Sequence, residues 1–272
     1  MTTISKVLVA TFILMFTVVQ AQEFHGVATY KSHRKMDFNM KGEGVNSDME
    51  KQIQEQLKKQ FQQEYTLTFN QEASIYKQNE QLATPSPAMS SGIKIEISNG
   101  SDVRYKNVKE NRYTNQTEMF GKQFLIKDSL LTRAWELVNE TKNIGDYTCF
   151  KAIFKDSITS TTFTDKGDIE EVKKERITTA WYTPQIPVNN GPEDFQGLPG
   201  LILEINDGSL TLVCTKIVIN PKDKTDIEEP KKGKEVSQEE FQAIMDKKNK
   251  EMMDDMQSRS RDGSSRVMII GN

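Results

Sequence analysis

From Tyr65 to Ile219 the chain is a succession of short runs rich in β-branched and aromatic residues, with turn residues between them and no helical run among them. Parallel strands need a crossover of a dozen or more residues, usually a helix. Without such crossovers the chain is restricted to an antiparallel meander. The expected strands are Tyr65–Phe69, Ala73–Tyr76, Val103–Val108, Arg112–Met119, Gln123–Ile126, Ala134–Val138, Tyr147–Phe154, Ser160–Thr164, Ile169–Tyr182, Leu201–Ile205 and Leu210–Ile219. An earlier run, Phe24 to His33, alternates with period two and is a further strand. Asn206-Asp207-Gly208 supplies a hairpin turn, and Pro199-Gly200 fits a type II turn. Leu82 to Gly92, with two prolines and three consecutive small residues, reads as a flexible loop.

Helices flank this meander. Ser47 and Glu50 form a capping box before a stripe of Met49, Ile53, Leu57 and Phe61, which predicts a narrow amphipathic helix to about Glu64 lying against the sheet. Pro221 to Val236 is charged and reads as a solvated linker. Ser237 and Glu240 repeat the capping box, with Val236 and Phe241 at staple spacing, and predict a helix to about Gln257 carrying Phe241, Ile244, Met245, Met252 and Met256 mainly on one side. Ser258 to Gly263 reads as a polar tail, and Val267 to Ile270 as a small apolar one that would suit an added edge strand. The expected fold is mainly β with flanking helices (α+β): a curved antiparallel meander sheet or half-barrel, one N-terminal amphipathic helix against it and one charged C-terminal helix. The expected organisation is a signal peptide over 1–21, a β-rich domain over 22–220, and a linker, helix and tail over 221–272.

Met1 to Ala21 has the layout of a secretory signal: Lys6, then a thirteen-residue apolar run from Val7 to Val19, then small residues at Val19 and Ala21 placing the cut before Gln22. The run is short for a bilayer, which needs ~20 apolar residues; an uncleaved anchor helix is the alternative. No Cys lies near the cut, so no lipid anchor is expected, and the mature chain is expected to be periplasmic and not integral to a membrane. In that oxidising compartment Cys149 and Cys214 are the only cysteines. They pair as a disulfide, which the chain-entropy account values at ~4 kcal/mol, or remain as two buried thiols. With no Cys-x-x-Cys, a redox site is not expected.

Thirty-six Lys and Arg against 39 Asp and Glu leave a net charge of −3, which argues against a nucleic-acid partner. His25 and His33 are too far apart on one strand to share a metal. There is no Gly-x-Ser-x-Gly elbow, phosphate-cradling loop or His-Glu-x-x-His, and the acidic residues are scattered. No catalytic residue, metal site or cofactor is therefore nominated. Met252, Met253 and Met256, with Met36 and Met40, invite a soft-metal reading, although Met at helical spacing is more often adaptable packing.

The run Ala180-Trp181-Tyr182-Thr183-Pro184, followed by Gly197-Leu198-Pro199-Gly200-Leu201-Ile202, resembles the signature of the GLPGLI family, exported bacterial proteins named after that hexapeptide. Tyr65–Phe69, Phe124–Asp128, Trp135 and Ile144–Cys149 extend the resemblance over most of the chain short of its C-terminal tail. It implies an exported protein and brings no activity, the family being functionally uncharacterised. Pro184, Pro187, Pro192 and Pro199 reduce the loop's unfolded-state entropy and predict an ordered loop. Trp181, Tyr182, Pro184, Phe195 and Leu198 are the candidate ligand-binding residues there. They line a pocket mouth, or they plug one end of the sheet. The functional expectation is a non-enzymatic envelope binding protein holding an apolar or lipid ligand. The alternatives are an accessory protein of an outer-membrane complex, a hydrolase, or a soft-metal binder.

Overall fold

The structure, a computed structural model, describes residues 24–35, 62–79, 102–163, 169–223 and 226–261. The expected signal peptide, the helix expected at Ser47–Glu64 up to residue 61, Met36 and Met40, the Leu82–Gly92 loop and the Val267–Ile270 tail lie outside the described residues; Glu64, the expected end of that helix, is instead the first residue of a strand.

Twelve strands form one sheet. They are β1 (His25–Arg34), β2 (Glu64–Asn70), β3 (Ala73–Gln78), β4 (Val103–Asn107), β5 (Arg112–Met119), β6 (Lys122–Ser129), β7 (Glu136–Ile144), β8 (Tyr147–Phe163), β9 (Ile169–Thr183), β10 (Leu201–Asn206), β11 (Leu210–Ile219) and β12 (Lys234–Val236); a single described helix, α1 (Gln238–Arg261), follows. Their order across the sheet is β12-β6-β5-β4-β3-β2-β1-β11-β10-β9-β8-β7. All ladders are antiparallel except β12 against β6. The expected meander is therefore observed, in two arms joined where β1 pairs with β11.

This order dictates a bend. β6 and β7 stand ten strand spacings apart, about 48 Å along a sheet with ~4.8 Å between strands. The chain from Ser129 to Glu136 joins them directly and reaches at most about 25 Å when fully extended. The two arms must curl toward each other. Two apolar sets are buried against the sheet. One gathers Ala28, Tyr30, Leu67, Phe69, Tyr76, Leu201 and Leu203; the other gathers Ala152, Ala180, Tyr182, Leu198, Ile202, Ile205 and Leu212. Each fully buried Leu, Ile or Phe contributes roughly 1.5–3 kcal/mol. Gly26 is part of this fit: a Cβ there would stand 2.5 Å from the Phe69 ring.

Several expectations are corrected. The Ala134–Val138 strand begins at Glu136 and continues to Ile144, because pairing with β8 carries the polar residues after Val138. The runs Tyr147–Phe154 and Ser160–Thr164 are one strand, β8, held by its ladder with β9 from Phe150↔Tyr182 to Phe163↔Ile169. The expected linker is not free. Glu229 accepts hydrogen bonds from Arg112 (2.8 Å) and Thr114, and Lys234–Val236 pairs with Phe124–Ile126, covering the exposed edge of β6. α1 starts at its capping box: Glu240 N–H donates to Ser237 Oγ (3.1 Å) and Ser237 N–H to Glu240 Oε2 (2.9 Å). The helix continues to Arg261, past the expected end at Gln257.

Cys149 and Cys214 are buried free thiols, not a disulfide. They lie on β8 and β11, three strand spacings apart, about 14 Å along the sheet, whereas a bridge needs Cα atoms within ~7 Å. Burial pushes the Cys149 thiol up to about 11 and the Cys214 thiol up to about 12, so both are held in the unreactive protonated form.

Candidate functional site

The β9–β10 loop runs from Pro184 to Gly200 and is as ordered as its prolines predict. Val188 N–H donates to Ile186 C=O (2.8 Å), Asn190 N–H to Val188 C=O (2.9 Å) and Phe195 N–H to Pro192 C=O (3.1 Å). The loop then folds back along β10, whose Leu201 and Ile202 amides donate to Ile186 and Asn190 carbonyls, each at 3.0 Å. Pro199-Gly200 is not the expected type II turn. Gly200 N–H donates to Leu198 C=O at 2.8 Å, closing a three-residue turn around Pro199. Gly200 is required by proximity: a Cβ there would stand 2.2 Å from the Thr183 carbonyl oxygen. That approach follows from the Leu201↔Thr183 register of β10 on β9.

Side chains from distant strands fasten the Gly191–Gln196 part of this loop. Lys106, on β4 and fully buried, donates from Nζ to Gly191 C=O (2.7 Å) and Phe195 C=O (3.1 Å). Arg133, in the β6–β7 connection, donates to Asp194 C=O at 2.7 Å, pairs with the Asp194 carboxylate, and lies 4.6 Å from the Phe195 ring centroid. Trp135 Nε1 donates to Gln196 C=O (2.9 Å), and Gln196 Nε2 to Leu131 C=O (2.8 Å). Tyr30 Oη donates to Ile202 C=O at 2.7 Å. The loop thus ties both arms of the curl together. Burial pulls the Lys106 ammonium down to about 7, Asp194 pushing the other way. Burial raises Asp194, but Arg133 and Arg104 outweigh it and hold that carboxyl below its usual range.

The candidate residues separate. Tyr182 and Leu198 are buried in the second apolar set, with Phe195 packed against it. Phe195 lies 6.5 Å from the Trp135 ring and Tyr182 lies 6.1 Å from the Phe150 ring. Trp181 packs against the first set with Lys142 Nζ 4.4 Å from its ring centroid, and Pro184 faces solvent. Leu198 to Ile202 serve mainly as core and register, and Gly197, at φ +98, lies against Trp135. Phe150 pairs with Tyr182 and Leu137 with Ala152, so this aromatic strip continues outward onto side chains that are 40% and 64% exposed.

A second region was not legible in the sequence. The ladder places Tyr76, Arg104 and Asn115 in one cross-strand row and Ser74 beside Lys106 in the next. All five therefore share a face. Ser74 Oγ, Tyr76 Oη and Asn115 Oδ1 are buried without a hydrogen-bond partner. Arg104 lies over the Tyr113 ring at 5.8 Å from its centroid, and no carboxylate of the described residues pairs with it. Above this wall, half-buried Glu193 sits in the turn at φ 47. Burial and then Asp194 raise its carboxyl, with Arg104 and Arg34 pulling the other way. The alternation of β3 to β5 shows polar residues on both faces, so only the register reveals which ones the loop covers. His25 and His33 both stand on β1, eight residues and about 27 Å apart. Among the described residues no group of three or more His, Cys, Asp or Glu is placed to hold a metal ion, and no helix is long and apolar enough to cross a membrane.

A family model described as a protein of unknown function, Porph_ging, matches residues 135–204, from Trp135 into β10. No curated protein matches the chain. Among solved structures, PNGF-II in space group C2 is similar at 15% identity and TM-score 0.48, over 81% of this chain and 32% of that one. PNGF-II in space group P21 is similar at 13% identity and TM-score 0.46, over 82% and 33%. The chain thus spans about a third of the length of the structures it matches.

Proposed function

We propose that the chain is an exported, non-enzymatic binding protein of the cell envelope, working in the periplasm, whose curled sheet holds an apolar or lipid ligand. The observation that carries this reading is the aromatic strip running from buried Tyr182 and Ala152 to exposed Phe150 and Leu137 on one face. A packed sheet in water ordinarily ends its apolar face in polar residues. Here the strip meets solvent as apolar surface, beside the Trp135–Phe195 ring contact. Such a strip can bury an acyl chain or another flat apolar group. The test is native mass spectrometry of protein purified from the envelope, together with displacement of a fluorescent fatty acid. Co-purified lipid, and a displacement weakened in Leu137→Ser and Phe150→Ser, are expected. Protein free of lipid that fails to bind the probe would overturn the reading. Cell fractionation, with Gln22 as the mature N-terminus, checks the location.

A second reading has its own observation. α1 is 24 residues long, but among its described side chains only Phe241 and Ile244 pack on Phe124, Ile126 and Val236. The helix beyond them suits docking to an outer-membrane protein partner. Deleting Ala243–Asn272 would abolish cross-links to such a partner, and unchanged cross-links would remove this reading.

A further inference from the structure

We infer that the face formed by Ser74, Tyr76, Arg104 and Asn115, under the Glu193 turn, is a binding site for a small zwitterion with the chemistry of an α-amino acid. The inference stands apart from the apolar-ligand reading: it uses β3 to β5, and the aromatic strip takes no part in it.

A buried hydroxyl or amide without a partner costs about 1–3 kcal/mol, and native proteins seldom leave one in place. Three occur here on a single face, in adjacent rows of one ladder: Ser74 Oγ, Tyr76 Oη and Asn115 Oδ1. Beside them is a guanidinium, Arg104, with no carboxylate in ion-pair contact among the described residues, and near it a carboxylate, Glu193, with no side-chain hydrogen bond or ion pair among the described residues. The two charges feel each other yet do not meet. Of the neighbouring charges, Arg34 is exposed at the end of β1, and two others are already committed. Asp194 pairs with Arg133, and Lys106 Nζ is engaged by the Gly191 and Phe195 carbonyls.

One ligand type satisfies all five groups. Its carboxylate accepts from the Arg104 guanidinium and from the Ser74 and Tyr76 hydroxyls. Its ammonium donates to Asn115 Oδ1 and to the Glu193 carboxylate. A plain anion would leave Glu193 and Asn115 unmet, and a plain cation would leave Arg104 unmet. Glu193 is only half-buried, so the face reaches solvent at the Glu193 turn. Amino acids and dipeptides share this chemistry at different charge separations.

The test is calorimetric titration and thermal shift of the full chain with the free L-amino acids, a set of dipeptides, and N-acetyl and amide-capped forms of whichever binds. Binding of at least one free zwitterion, weakened at least about tenfold by either cap, is expected. A tighter amino acid assigns the short charge separation, and a tighter dipeptide the long one; either supports the site. Arg104→Gln and Glu193→Gln each lose about tenfold, and Tyr76→Phe weakens binding without lowering the melting temperature of the free protein. Glu193 is half-buried in a turn outside the strands, so its variant reports on binding even where Arg104→Gln fails to fold. No heat and no thermal shift from any zwitterion up to about 10 mM, or capped forms binding as well as free ones, would overturn the inference.

Discussion

Gly197 and Gly200 look alike in the sequence and differ in what the structure asks of them. At Gly200 a Cβ would meet the Thr183 carbonyl oxygen at 2.2 Å and Pro184 N at 2.8 Å, backbone atoms that belong to a ladder and cannot move aside. At Gly197 the nearest atoms are those of the Trp135 ring, at an ordinary 3.6 Å, and only the positive φ opposes a side chain. Gly197→Ala should therefore cost about 1–2 kcal/mol, and Gly200→Ala more than about 3 kcal/mol, since the β9–β10 register must shift. Chemical denaturation of both variants checks the order; equal losses would mean that backbone proximity is not what selects Gly200. Lys106 gives a prediction in pH. Its proton is held up to 10.5 in an unfolded chain and only to about 7 in the fold. Between those values the unfolded state carries the extra proton, so rising pH favours the folded state; below about pH 7 both states are protonated and the burial penalty is fully present. The stability of the native protein relative to Lys106→Met should thus increase from about pH 7 toward pH 9. Denaturation midpoints of both proteins across that range measure it, and a constant or shrinking difference would contradict the burial of a titrating amine.

The elements divide by how local their cause is. β5 and β11 have the bounds that their runs of β-branched and aromatic residues predict, and α1 begins at the Ser-x-x-Glu box that the sequence displays. Ser237→Ala removes one of the two reciprocal bonds and should cost about 1 kcal/mol, visible as faster amide exchange confined to the first turns of α1. Loss of protection throughout the sheet would instead mean that the helix is a structural support for the whole. β12 could not be read in advance, because Lys234-Glu235-Val236 has no period of its own and is a strand only because β6 offers an edge. The continuity of β8 beyond Phe154 is likewise imposed by its partner β9. The candidate site follows the same division. Tyr182, Phe195 and Leu198 were legible because aromatic and apolar residues cluster around four prolines. The wall of Ser74, Tyr76, Arg104 and Asn115 is made by cross-strand register, and register between separate strands is not written in any one of them.

At the scale of the molecule, one connection and one loop set the shape. The Leu130–Trp135 stretch is too short to cross a flat twelve-stranded sheet, so it draws the two arms together. The β9–β10 loop then joins them from within, with Lys106 on one arm, Arg133 and Trp135 on the connection, and Leu201 and Ile202 on the other arm. Both regions proposed to bind ligands, the aromatic strip and the polar wall, border this loop, so both proposals depend on its fixation. Amide hydrogen exchange resolved to Asn190, Leu201 and Ile202 tests it most directly. These three amides donate within the loop and its return strand, so they should exchange as slowly as the paired amides of β10 and β11. Exchange at the rate of an unprotected surface loop would contradict the account.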